Sequence, residues 1–185
     1  MKDWKDKQKT MRHYDLQAAI YDVQYAGEQN SKIESILKNM KIDSKDKILD
    51  LGCGTGFLFQ HVSENAELVV GSDVSKKVLE EAKKRTKNMS NTFLVCADAD
   101  NTPFRNNFFD KTFAITVLQN MPDPIRTAIE MKRVSKSGAL FAVTGLKKRF
   151  TVDSFIALLE NAQLKVIALD NDQKLKGFVV VCTNK

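Results

Sequence analysis

The stretch Ile48-Leu49-Asp50-Leu51-Gly52-Cys53-Gly54-Thr55-Gly56 joins an apolar run to an acidic residue and three alternating glycines. A short apolar run of this kind reads as a buried strand. Alternating glycines let the backbone turn sharply, approach a ligand closely and open a helix. Two nucleotide-phosphate readings fail on spacing. A dinucleotide fingerprint needs a third glycine at position 57, which is Phe57, and a P-loop needs a Gly-Lys-Ser/Thr that does not follow. Asp50, directly before the loop, repels a phosphate and suits a ligand that carries an ammonium or sulfonium charge.

Further segments follow in a consistent order. Leu68-Val69-Val70-Gly71-Ser72-Asp73 reads as a second strand ending in a carboxylate 23 positions after Asp50, and Thr92-Phe93-Leu94-Val95-Cys96-Ala97-Asp98-Ala99 reads as a third. Pro103-Phe104 and Phe108-Phe109-Asp110 lead into a fourth, residues 111–118. Together these segments resemble the class I S-adenosylmethionine-dependent methyltransferases, from about residue 14 to the end of the chain. The resemblance implies an α/β, Rossmann-like fold: a mostly parallel seven-stranded sheet with helices on both faces and a C-terminal antiparallel hairpin. It implies S-adenosyl-L-methionine as cofactor, with Asp50, Gly52, Gly54 and Gly56 forming the loop beside it. Asp73, with Val74 next to it, matches the carboxylate that takes the ribose hydroxyls. Asp98 and Ala99 match the residues at the adenine, where Asp100 is a neighbour able to take the same role. Thr116 begins the segment that touches the methyl donor, and Gln119 and Asn120 are the catalytic candidates, able to orient an acceptor without titrating. The amide-nitrogen enzymes of this family carry Asn-Pro-Pro-Tyr here, whereas this chain has Asn120-Met121-Pro122-Asp123. A purely structural reading stands beside these assignments, since strand-end carboxylates cap helices in many α/β proteins.

The pattern from residue 31 onward alternates strand runs with helical ones, as a parallel sheet requires. Ser31-Lys32-Ile33-Glu34 reads as a capping box opening a helix to about Met40. Ser75 opens another to about Lys87, and Asp123 with Pro124 starts one through Val134. Ser137-Gly138 turns the chain into strand five, residues 139–144. Thr151 starts the last helix, to about Asn161, and segments around Val166 and Val179 close the sheet. These readings divide the chain into a methyltransferase domain, residues 31–185, and a preceding segment, residues 1–30. Within that segment Tyr14-Asp15 and Tyr21-Asp22 repeat a pair seven residues apart, aligned by two helical turns. It resembles the N-terminal cover of many such enzymes, with Tyr21 closing over the cofactor and Tyr14 facing the substrate.

With 185 residues, 43% hydrophobic and 28% charged, a single compact domain is expected. The chain carries no run long and apolar enough for a membrane span and no secretory start, so a soluble cytoplasmic protein is expected. Three cysteines, at 53, 96 and 182, and two histidines form no metal-ligand spacing, so no metal site is expected, and Cys53 reads as a small residue packed behind the loop. The net charge of +6 and pI near 9.2 make an anionic partner plausible. Lys147-Lys148-Arg149, following strand five, is the candidate substrate-binding rim for RNA, with a tRNA nucleoside as the acceptor. Quinone-biosynthesis methyltransferases of small molecules are the alternative, since the 118–124 loop and the 133–138 turn resemble them equally. A cofactor-binding scaffold without catalysis is the third reading. The compact shape also resembles methyltransferases that work with a small zinc-binding activator subunit, which would pair with the edge strand Thr92 to Ala97.

Overall fold

The computed structural model describes residues 2–184, with side chains for residues 4–16 and 22–184. Helix α1 spans Lys2–Asn39. It contains no proline, and lysine, glutamine, glutamate and alanine supply good helix formers along it. The expected helix start at Ser31 is not a start: α1 passes through it without a break. Ser31 is exposed mid-helix, and the only weak point upstream, Gly27, has open space around it. Burial of Ile33, Ile36 and Met40 to 1% exposure or less holds the helix down beyond that glycine, whose propensity cost is only about 1 kcal/mol.

The remaining elements alternate as expected. They are β1 (Lys47–Leu51), the short α2 (Phe59–Val62), β2 (Leu68–Asp73), α3 (Lys76–Arg85), β3 (Thr92–Cys96) and β4 (Phe109–Ala114). Then come α4 (Pro124–Val134), β5 (Ser135–Leu146), α5 (Val152–Asn161), β6 (Leu164–Asp170) and β7 (Gly177–Asn184). The sheet order is β3-β2-β1-β4-β5-β7-β6. β1 to β5 run parallel, and β7 lies antiparallel between β5 and β6. This is the mostly parallel seven-stranded Rossmann-like sheet with its C-terminal antiparallel pair.

Helix starts follow the sequence closely. Ser75 accepts from the Val78 amide, Asp123 caps α4 ahead of Pro124, and Thr151 forms a capping box with Ser154. Strand five differs. It begins at Ser135 rather than after Gly138, because Ser135 already pairs with Phe109 and residues 136–139 bulge out before Leu140 rejoins Lys111. Gly138, at φ +75°, accommodates that bulge, so the expected turn lies inside the strand.

β1 alternates between two cores. Leu49 and Leu51 point to the face packed by α4 and α5 around Phe141 and Phe155, and Ile48 points to the face packed by α1 around Phe59 and Phe113. Strand order reverses around β1, between β2 and β4. In an open parallel sheet the crevice for a ligand forms beyond the carboxyl ends at that reversal.

Candidate active site

The loop after β1 forms the floor of that crevice. Gly52 sits at φ +70°, and a Cβ built there would lie 2.5 Å from Val117 Cγ2, so only glycine fits between loop and wall. Asp73, at the end of β2, accepts from the Gly54 amide (3.1 Å) and the Ser75 amide (2.9 Å). A carboxylate has about four acceptor sites, so it retains capacity toward the cleft. Burial raises the Asp73 carboxyl above its ordinary range, with those amides pulling it back. Asp50, only 3% exposed, is pushed up to about 8, by burial first and the charge of Asp73 second.

The cleft encloses about 890 Å³, open mouth included. Of the residues expected there, Gly52, Gly54, Asp73, Val74, Asp98, Ala99, Thr116, Asn120 and Tyr14 all line it. Asp50 lines a second cavity of about 360 Å³ under the same loop, sharing Gly52, Gly54 and Thr55 with the cleft. Gly56 does not line the cleft; it leaves room for the Phe59 ring. The Tyr21 side chain lies outside the described residues.

Thr116 is a β-branched residue at φ +66°, a strained conformation that must be held from outside. Thr144 Oγ1 accepts its amide at 2.7 Å, while Gln29 Nε2 and Lys32 Nζ each donate to its hydroxyl at 3.2 Å. Lys32 is buried against Glu28, and burial lowers its ammonium below the ordinary value. The Asn120 amide donates to the Thr116 carbonyl (2.8 Å) and to Tyr14 Oη (3.0 Å). Asn120 therefore anchors the loop and orients Tyr14. Burial raises the Tyr14 phenol, so it is a neutral hydroxyl at pH 7.

Other expected residues stand elsewhere. Gln119 does not line the cleft, and its Oε1 is buried without a hydrogen bond. Lys147 Nζ turns away, donating to the Asp172 carbonyl (2.7 Å) and lying over Phe178. Lys148 and Arg149 are exposed, and none of the three lines the cleft. Cys53 is buried with its thiol pushed well above the usual value, as a packed residue should be. Among the described residues no acidic, histidine or cysteine cluster could hold a metal, and no helix is long and apolar enough to cross a membrane.

Sequence reasoning put Tyr14 of α1 at the cleft but missed the helix's other contacts. Lys7, Thr10 and Met11 line the cleft, and Asp22 accepts from Thr55 Oγ1 (2.6 Å) and pairs with Arg85 (2.5 Å). Asp15 accepts from the Ser75 hydroxyl. Nothing local in the sequence marks these residues' partners, which lie dozens of positions away.

Residues 49–143, spanning β1 to β5, match the family described as methyltransferase domain. The chain belongs to this family. The demethylmenaquinone methyltransferase of Staphylococcus saprophyticus is 39% identical over 109 residues, covering 57% of this chain and 46% of that protein. The chain thus spans about half the length of the curated relatives it matches. In the solved complex between the Haloferax volcanii Trm112 methyltransferase activator and a methyltransferase, a similar chain superposes with a TM-score of 0.83 at 17% identity, covering 92% of this chain and 96% of that one. The [4+2]-cyclase SpnF superposes with 0.84 at 17% identity over 96% and 95%. The fold is therefore shared by proteins of different chemistry.

The cofactor this methyltransferase family implies is S-adenosylmethionine, and the residues fit it. Asp73 lines the cleft and Asp50 lies beneath its glycine loop, carboxyl groups able to meet ribose hydroxyls and an ammonium, and the Gly52 position is a cradle that a Cβ would fill.

Proposed function

We propose that this methyltransferase-family chain transfers a methyl group from S-adenosylmethionine to a small, largely apolar acceptor. The observation that carries this is the lining of the cleft near Thr116: Met11, Tyr14, Ile115, Val117 and Met121. Among the described residues the one lysine of the lining is Lys7, and it is engaged by Asp98 and Asp100. Asp73 would hold the ribose, Asp98 and Ala99 the adenine, and Asp50 with the glycine loop the charged methionine end. When bound, the cofactor supplies a methyl group on an already activated sulfonium. What remains for the protein is to position the acceptor and exclude water, which α1 does by lying over the cleft. Tyr14, oriented by Asn120, presents a neutral hydroxyl beside the acceptor. No strong base faces the cleft among the described residues, so the acceptor brings a nucleophile that needs little deprotonation.

An RNA acceptor is the second reading, favoured by the +6 net charge and by exposed Lys148 and Arg149 after β5. Methyl-tritiated S-adenosylmethionine, incubated separately with RNA, protein and small-molecule extracts of the source organism, separates the two. Label in the organic-soluble fraction supports the first; label in RNA replaces it with the second. Cofactor binding with no methylated product in any fraction means a scaffold.

An activator subunit at the β3 edge is part of the same proposal. Among the described residues β3 pairs only with β2, and its Phe93 is 54% exposed, leaving an apolar edge that another chain could cover. The likeness to a methyltransferase solved with its activator supports this. A chain purified alone that is monodisperse and fully active removes the need for such a partner.

A further inference from the structure

We propose that Lys7 is a positioning residue for the cofactor: it orients the Asp98 carboxylate from across the cleft and ties the first turns of α1 over it. The inference rests on Asp98 facing the cofactor base.

Lys7 is 9% exposed, and its ammonium lies 2.7 and 2.8 Å from the two Asp98 oxygens and 2.5 Å from Asp100 Oδ2. A lysine so buried persists only with partners, and here it has two. The carboxylates need it as much. Asp98 and Asp100 stand two residues apart after β3, where their charges repel, and one ammonium between them offsets that repulsion. Asp100 is fixed from its other side, accepting from the buried Thr127 hydroxyl. Lys7 therefore bridges a rigid carboxylate and a cleft-facing one.

The acceptor count at Asp98 gives the bridge a chemical consequence. Of about four lone-pair sites, Lys7 takes one on each oxygen, and the Asp100 amide takes another on Oδ1 at 3.1 Å. One site on Oδ2 remains. Asp98 is thus oriented to accept a single N–H from the cleft, the donor count of an exocyclic amine pointing one hydrogen at it. A base that presents a carbonyl instead meets an oxygen with nothing to donate. Lys7 fixes which lone pair is on offer, and so sharpens discrimination between the two.

The test compares S-adenosylhomocysteine with S-inosylhomocysteine, which replaces the exocyclic amine by a carbonyl, using calorimetry on the native chain, Lys7→Met, Lys7→Arg and Asp98→Asn. Lys7→Met is expected to weaken the adenosyl ligand about tenfold or more while changing the inosyl ligand little, so the ratio collapses. Lys7→Arg, keeping charge and reach, should restore most of the ratio. Equal weakening of both ligands by Lys7→Met, or no weakening, overturns the proposal, since a merely structural tie affects both alike. Asp98→Asn separates the two levels. If it alters the ratio while Lys7→Met does not, the base assignment stands and the role of Lys7 falls. If neither alters it, Asp98 does not face the base.

Discussion

The pH dependence of cofactor affinity follows from Asp50. Its carboxyl is buried beneath the glycine loop, beside the charge of Asp73, and is pushed up to about 8. At pH 7 roughly nine-tenths of these carboxyls carry a proton. A ligand that brings an ammonium to the second cavity favours the ionised form, so binding expels the proton. The group's pKa is then lower in the complex than in the protein alone, and affinity rises with pH until about 8. Below that value it falls about tenfold per unit, so between pH 8 and pH 6 the dissociation constant should increase about 50-fold, or about 2.3 kcal/mol. Isothermal titration of S-adenosylhomocysteine in two buffers of different ionisation enthalpy measures both affinity and protons released. About 0.9 proton should leave at pH 7 and about half a proton at pH 8. Asp50→Asn should abolish the slope and the release together. A flat affinity from pH 6 to 8 with no proton release would show that Asp50 is already ionised, or that no cation comes to rest near it. The same raised carboxyl acts on folding with the opposite sign. Because its folded value lies above the unfolded one, the protein alone loses stability as pH rises from about 4 to 8, which thermal melts at pH 5 and 8 would register.

Asp73→Ala should weaken cofactor binding by about 2 to 4 kcal/mol, since it removes a charged acceptor of two ribose hydroxyls; unchanged affinity by calorimetry means the ribose lies elsewhere. Asn120→Ala removes the donors to Tyr14 and the Thr116 carbonyl and should lower kcat with little change in cofactor affinity, a split read from steady-state kinetics against calorimetry. Gly71→Ala places a Cβ 2.4 Å from Phe59 Cζ and should destabilise by about 1 to 3 kcal/mol without touching the cleft, a loss visible in urea unfolding.

Much of this organisation is legible in the sequence because its signals are local. The strand-to-glycine junction at Leu51-Gly52, the caps Ser75, Asp123 and Thr151, and the apolar runs of β1, β2 and β4 each announce themselves within a few residues. Asp73 and Asp98 were readable for the same reason, as strand-end carboxylates on the edge where a parallel sheet takes its ligand. Lys147 was not, because the position of a cation after a strand says nothing about which way its side chain turns. In the fold it swings to the carbonyls between β6 and β7 instead of the cleft. Gln119 and Asn120 are adjacent, and the short 3₁₀ turn Leu118–Asn120 sends one amide inward and the other to Tyr14.

The polar contacts of α1, which the sequence does not mark, have a physical cause that also bears on function. A helix usually packs through an apolar stripe, and its sequence then betrays the buried face. Among the described residues α1 meets the loops around the cleft largely through polar groups, with Lys7, Tyr14, Asp15, Asp22, Gln29 and Lys32 bonding to Asp98, Asn120, Ser75, Thr55 and Thr116, while Met11 adds an apolar contact to the lining. Such a face gains little from burial by itself, because desolvating each group nearly cancels the bond it forms. Apolar packing at Ile33 and Ile36 fixes the C-terminal end, and among the described residues the N-terminal half is tied largely by polar and charged contacts. That half should therefore be the part of the fold easiest to lift from the cleft. A cofactor entering beneath α1 would meet a cover fixed at one end by apolar packing and tied at the other by polar bridges such as Lys7 with Asp98 and Asp100, which solvent can replace more readily.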